Sequence, residues 1–186
     1  MKKLCVVLTI PEPLKSKLVF ELKELHKKYG SKCNSKHPNG GIYYDIPHIT
    51  LLSMGACFEN YAQIKEKLEE IIKRHSVIKI KSKELVLFED KDYNHLVITI
   101  KKNKELQELH NDIAKELTLF SKKNEKFLFK LYNPHSSKIL YLPKELGEQV
   151  KKDAIVKDFE FTAKEIGIKI RQEDHYCVIK DKFKLS

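Results

Sequence analysis

Pro47-His48-Ile49-Thr50-Leu51 and Pro134-His135-Ser136-Ser137-Lys138 are the two stretches on which the reading of this 186-residue chain turns. Each places a histidine directly after a proline, with a hydroxyl residue two places further on. Side chains two apart on a β-strand share a face, so His48 and Thr50 would point one way, as would His135 and Ser137. With eight histidines, and Ser and Thr at 15 of 186 residues, the His-x-hydroxyl spacing alone is weak. The preceding proline sharpens it, because the chain holds only six. Placement sharpens it again, since the copies occupy corresponding positions in two similar halves.

Working outward, the first half reads as a Val- and Leu-rich strand at residues 4–10, stopped by Pro11-Glu12-Pro13. Leu14, Leu18, Leu22 and Leu25 then recur at helical spacing to about Tyr29, with Gly30 as a stop. Residues 31–41 form a polar loop, 42–54 a strand region, and 61–75 a second amphipathic helix. Residues 77–87 alternate as a strand, 85–88 continue as a further one, and 95–100 return as the second arm of a hairpin. A third helix follows through Leu106, Leu109, Ile113, Leu117 and Phe120, and residues 127–131 and 138–142 bracket a turn-and-strand region. A short helix at 146–156 and strand-like runs at 159–163, 167–170 and 176–179 close the chain. Each half thus offers a strand, a long helix, a Pro-His strand, another helix and a strand pair. That order favours an α+β protein of two similar lobes over a doubly wound sheet, with residues 1–186 as one bilobal domain. No glycine-rich nucleotide cradle is present.

Composition narrows the function classes. Thirty-six Lys and Arg against 26 Asp and Glu give a formal charge of +10, but the first 93 residues carry 17 basic and 12 acidic side chains, half of that excess. Only Arg74 and Arg171 are arginines, and lysine lacks the planar fork that grips phosphate bidentately. The charge permits an anionic substrate without marking a dedicated nucleic-acid face. Cys5, Cys33, Cys57 and Cys177 form no C-x-x-C pair and read as reduced thiols of a cytoplasmic protein. The apolar run at 4–10 is too short for a membrane helix or a signal peptide. A monomer acting without membrane contact is expected.

The paired motif has a chemical meaning. Phosphodiester cleavage by water needs a base for the nucleophile and an acid for the leaving oxygen. Imidazole can hold either role near neutral pH. Hydroxyl donors can bind the non-bridging phosphate oxygens as their charge shifts.

On these residues the chain resembles the two-histidine phosphoesterase superfamily, which includes the 2′-5′ RNA ligase-like proteins and cyclic phosphodiesterases. The resemblance covers nearly the whole chain in element order, and its specific part is the two short motifs. It implies a bilobal, pseudo-symmetric fold, with two antiparallel sheets flanked by helices around a central cleft. It also implies a site without metal or cofactor, with His48 and His135 as catalytic residues and Thr50 and Ser137 binding phosphate. The substrate would be RNA, an oligonucleotide or a cyclic nucleotide, bearing a 2′,3′-cyclic phosphate or a 2′-5′ linkage, with ligase activity in the reverse direction. The second copy departs from the usual pattern: Ser137 replaces threonine, and Ser136 and Lys138 fall where apolar packing is expected. A shifted register, an exposed edge strand and a weakened half-site all fit that departure. A non-enzymatic RNA-binding protein that kept the fold is the competing class. Tyr44, Tyr132 and Tyr176 could stack on a base, and Lys138 and Arg171 could contact phosphate, although core or rim packing is the better reading for the tyrosines and surface charge for the two cations.

Overall fold

The computed structural model describes residues 3–29, 47–55, 60–89, 91–121, 132–171 and 177–186. Among these, eight strands and four α-helices follow the order β1 (Lys3–Thr9), α1 (Leu14–Tyr29), β2 (His48–Gly55), α2 (Tyr61–Ile72), β3 (Ile78–Glu89), β4 (Tyr93–Ile100), α3 (Lys104–Leu117), β5 (His135–Pro143), α4 (Gly147–Asp153), β6 (Glu160–Ala163), β7 (Glu165–Arg171) and β8 (Cys177–Lys184). The helices fall where the leucine and isoleucine spacing places them. The two runs read at 77–88 are one strand, β3, whose pairing to β4 shifts register between Ser82 and Leu85. The polar loop at 31–41 and the run at 127–131 lie outside the described residues.

Two antiparallel four-stranded sheets result, ordered β2-β1-β7-β8 and β5-β4-β3-β6. In each, the opening strand of one half pairs with the motif strand of that half: β1 with β2, and β4 with β5. The remaining pair is exchanged. Strand β3 of the first half sits against β4, while β7 and β8 of the second half complete the sheet of β1. Each sheet is therefore built from both halves of the chain.

Alternation decides the faces. Leu4, Val6 and Leu8 of β1, Ile49, Leu52 and Met54 of β2, and Ile166, Ile168 and Ile170 of β7 are buried together. Ile98 and Ile100 of β4 join them, with Ile64, Leu68 and Ile71 of α2 and Leu106, Leu109 and Ile113 of α3. A second cluster holds Leu25 and Tyr29 of α1 against Leu96, Leu142 and Val150. Burial of these side chains stabilises by about 1.5–3 kcal/mol each and holds the sheets in place beneath the helices. Asn103 caps α3 by accepting from the Leu106 N–H at 2.8 Å, and its amide donates to the Lys79 carbonyl. On the far edge, Asp181 of β8 accepts from Tyr61 and Lys65 of α2, and these bonds hold its carboxyl below the usual range. Among the described residues no helix is long and apolar enough to cross a membrane.

Candidate active site

The site is built where the motif strands begin. His48 opens β2 directly opposite Thr9 of β1, and His135 opens β5 directly opposite Thr99 of β4. Two residues on, Thr50 stands opposite Val7 and Ser137 opposite Val97. The residues between, Ile49 and Ser136, turn inward and are buried. Immediately after each motif the register slips by one residue. On β1, Val7 and Val6 are consecutive, yet their partners are Thr50 and Leu52. On β4, Val97 and Leu96 are consecutive, yet their partners are Ser137 and Ile139. Leu51 and Lys138, each three places after its histidine, are the extra residues. Bulges of this kind bend a strand locally and re-aim the side chains beside them. In the described sheets β2 and β5 are edge strands, and they lie against one another across the junction. All four motif side chains are half-buried and lie on the strand faces opposite to Ile49 and Ser136.

Each bulge is pinned by a helix. Beside Leu51, the buried His110 of α3 has Nδ1 2.8 Å from the Leu51 carbonyl, which can only accept, so Nδ1 donates. Beside Ser137, the Lys138 side chain runs inward and its ammonium donates to Glu21 of α1, both side chains being 2% exposed. Glu21 also accepts the backbone N–H groups of Ile155 and Val156, at 2.6 and 3.0 Å. Burial pulls the Lys138 ammonium below its ordinary pKa, and the adjacent carboxylate opposes that shift. This explains the unusual second motif. His135 and Ser137 hold the same register as His48 and Thr50, the slip falls at Lys138 as it does at Leu51, and the lysine at that position is matched by a buried acid.

The same geometry corrects the candidate substrate contacts. Lys138 is committed to Glu21 on the core side, away from the motif face. Tyr132 is half-buried, stacked on His110 with ring centroids 3.8 Å apart at 4°, and packed against the main core. Its hydroxyl finds no hydrogen-bond partner among the described residues, and burial pushes the phenol above its ordinary range. It is a packing residue. Tyr44 and Tyr176 lie outside the described residues. Arg171 ends β7, and its side chain is not among those described.

Three neighbours of the histidines carry no motif signal. Lys169 of β7, only 9% exposed, brings Nζ to 3.1 Å from His48 Nε2. The Asn133 carbonyl lies 2.8 Å from His135 Nδ1, so that nitrogen carries a proton and Nε2 is the other face of the ring. Phe88 of β3 meets the His135 ring edge-on at 5.3 Å and 73°. Phe88, Thr99 and Asn133 also line a groove of about 480 Å³ with Lys83, Lys101, Lys102 and Glu84. One signal for the opposing threonines was present in the sequence: Val7-Leu8-Thr9-Ile10 recurs as Val97-Ile98-Thr99-Ile100. Lys169 has no comparable signature among 36 basic residues. Among the described residues no three His, Cys, Asp or Glu side chains converge as a metal site.

Comparison with known proteins agrees with this architecture. The crystal structure of TT0787 from Thermus thermophilus superposes with a TM-score of 0.68 over 98% of this chain and 97% of its own, at 12% identity. Escherichia coli LigT in its apo form gives 0.60 over 100% and 98%, at 10% identity. The complex of LigT with 3′-AMP also gives 0.60 over the same shares, at 10% identity. These likenesses establish a shared fold. No curated protein sequence matches significantly. The sequence profile of the 2′-5′ RNA ligase superfamily matches residues 21–175, a span that includes both motifs and the strands that carry them. The chain is therefore a member of the 2′-5′ RNA ligase superfamily, with the fold of the two-histidine phosphoesterases.

Proposed function

We propose that this protein is a phosphodiesterase for RNA-type phosphodiesters, 2′,3′-cyclic phosphates or 2′-5′-linked oligonucleotides, working by paired-histidine acid–base catalysis. The observation that carries the reading is the matched placement of the two motifs. In each motif the imidazole and the hydroxyl share one face of an edge strand, the two edge strands are adjacent, and each motif is followed by the same bulge.

In the hydrolytic direction one imidazole takes a proton from water as its oxygen bonds to phosphorus. The bond from phosphorus to a ribose oxygen breaks, and the other imidazole delivers a proton to that oxygen. Thr50 and Ser137 donate to the non-bridging oxygens. Each positioned proton transfer contributes on the order of 10²–10⁴ in rate. In the ligase direction a ribose hydroxyl replaces water and attacks a 2′,3′-cyclic phosphate: one imidazole takes its proton, the ring bond from phosphorus to ribose oxygen breaks, and the other imidazole protonates the released oxygen. The two histidines exchange roles when the new linkage is cleaved back to the cyclic phosphate. Lys83, Lys101 and Lys102 along the groove beside His135 supply an attractive field for the rest of an anionic substrate, with Phe88 as an apolar wall. A nucleotide substrate is also supported by the 3′-AMP complex of LigT, which shares the fold.

The test is a hydrolysis panel of 2′,3′-cyclic nucleotides and 2′-5′ and 3′-5′ dinucleotides in the presence of chelator. Turnover of the cyclic or 2′-5′ substrates is expected, with the 3′-5′ linkage resistant. Tight binding of every substrate with no turnover would instead identify an RNA-binding protein.

A further inference from the structure

The two histidines are alike in sequence but not in surroundings. His48 Nε2 faces a lysine ammonium, whereas His135 Nδ1 faces a backbone carbonyl. Building on the acid–base reading above, we propose that Lys169 is a positioning residue that makes His48 the proton acceptor of the pair and then passes its own hydrogen bond to the phosphate. His135 is thereby left as the proton donor.

The first argument is one of donors and acceptors. A lysine ammonium can only donate. A hydrogen bond from Nζ to His48 Nε2 at 3.1 Å therefore requires a lone pair on Nε2, which places the ring proton on Nδ1. A positive charge this close also opposes a second proton on the ring. His48 is thus held neutral and ready to accept. His135 is the reverse case. The Asn133 carbonyl can only accept, so Nδ1 stays protonated, and this bond persists when Nε2 also carries a proton.

The second argument is topological. Strand β1 separates β7 from β2, and Lys169 lies opposite Cys5 of β1 while His48 lies opposite Thr9, so the two residues start two strand spacings and four positions along the strand apart. Lys169 is directly opposite Cys5 on β1, on the same face as Val7 and Thr9. Its side chain must cross over β1 to reach the ring. A nearly buried ammonium there gains most from an anion brought into contact. When a phosphodiester enters, a non-bridging oxygen can accept the Nζ–H bond, and the Nε2 lone pair is released to take the proton from water. Among the residues whose side chains are described, the other titratable and charged groups on this face are Cys5, Glu165, Lys182 and Lys184, with His135 across the junction. Glu165 is engaged by Thr9 and by Lys182, and Cys5 donates to Ser53. Arg171 lies two residues beyond Lys169 on β7.

The experiment compares kcat/KM against pH for wild type, Lys169→Met, Lys169→Arg and His48→Ala on a 2′,3′-cyclic nucleotide. The acid limb of kcat/KM reports the free enzyme's base. Removing the cation makes His48 easier to protonate, so activity in Lys169→Met is lost at higher pH as the solution is acidified. A shift of about one pH unit is expected, with Lys169→Arg keeping the limb near its wild-type position. Nitrogen-15 spectra of the wild-type rings should also show His48 neutral with its proton on Nδ1 at pH 7. An acid limb unmoved in Lys169→Met, or His48 found as imidazolium or as the Nε2–H tautomer at pH 7, would overturn the assignment. Undiminished turnover by His48→Ala would instead overturn the acid–base reading beneath it.

Discussion

Turnover of a 2′,3′-cyclic nucleotide is expected to fall by on the order of 10²–10⁴ when either His48 or His135 is replaced by alanine. Neither ring belongs to the buried core, so both variants should keep the wild-type urea midpoint. The loss would then be chemical, not structural. Groups that act in the same step are grossly non-additive, so the double variant should be little worse than the poorer single. Losses that simply multiply would mean that the histidines serve separate events. An alanine variant that retained full activity would remove that histidine from the mechanism.

The largest stability effect is expected at Glu21. Removing one partner of a buried ion pair costs about 3–5 kcal/mol, a large share of the roughly 5–15 kcal/mol that holds a typical domain together. Glu21→Gln should show most of this loss at pH 7, because the Lys138 ammonium is left buried without a counter-charge. The pH dependence has a definite sign. Lys138 titrates below its ordinary value in the folded protein, since burial disfavours the charged form. The unfolded chain therefore binds more protons between the two values, and stability rises with pH across that window. In Glu21→Gln the folded value falls further and the window widens, so part of the loss should be regained as the solution is made alkaline. The double variant Glu21→Gln/Lys138→Met should recover most of it at all pH values. It buries no charge, and the glutamine oxygen can still accept from Ile155 and Val156. Equilibrium urea unfolding from pH 6 to 10 reads all three. A neutral Glu21→Gln would mean that the pair does not fix β5.

Much of this arrangement was legible in the sequence because it rests on local rules. Leu14, Leu18, Leu22 and Leu25 announce α1, and strand alternation fixes the shared face of His48 and Thr50. The proline before each histidine marks where each motif strand starts. What was not legible depends on partners distant in sequence. Lys138 follows Ser137 as a charge in an apolar slot, and its meaning appears only when Glu21, 117 positions earlier, is brought beside it. Lys169 is 121 positions from His48, on a strand that reaches the site through the exchange of β7 into the first sheet. That exchange is itself silent in sequence, because β3 and β7 have the same alternating character whichever sheet they join. Thr9 and Thr99 are an intermediate case: the recurrence of Val-x-Thr-Ile marks them, but only the pairing register shows each opposite a histidine.

The central claim is that both histidines serve one phosphate. It is tested most directly by a crystal structure with a nucleoside 2′-monophosphate bound. A single phosphate should sit between β2 and β5, with Nε2 of both His48 and His135 at hydrogen-bonding distance, about 2.6–3.2 Å, and the Thr50 and Ser137 hydroxyls on its remaining oxygens. A phosphate held by only one of the two motifs, with the other imidazole turned away from it, would contradict the account.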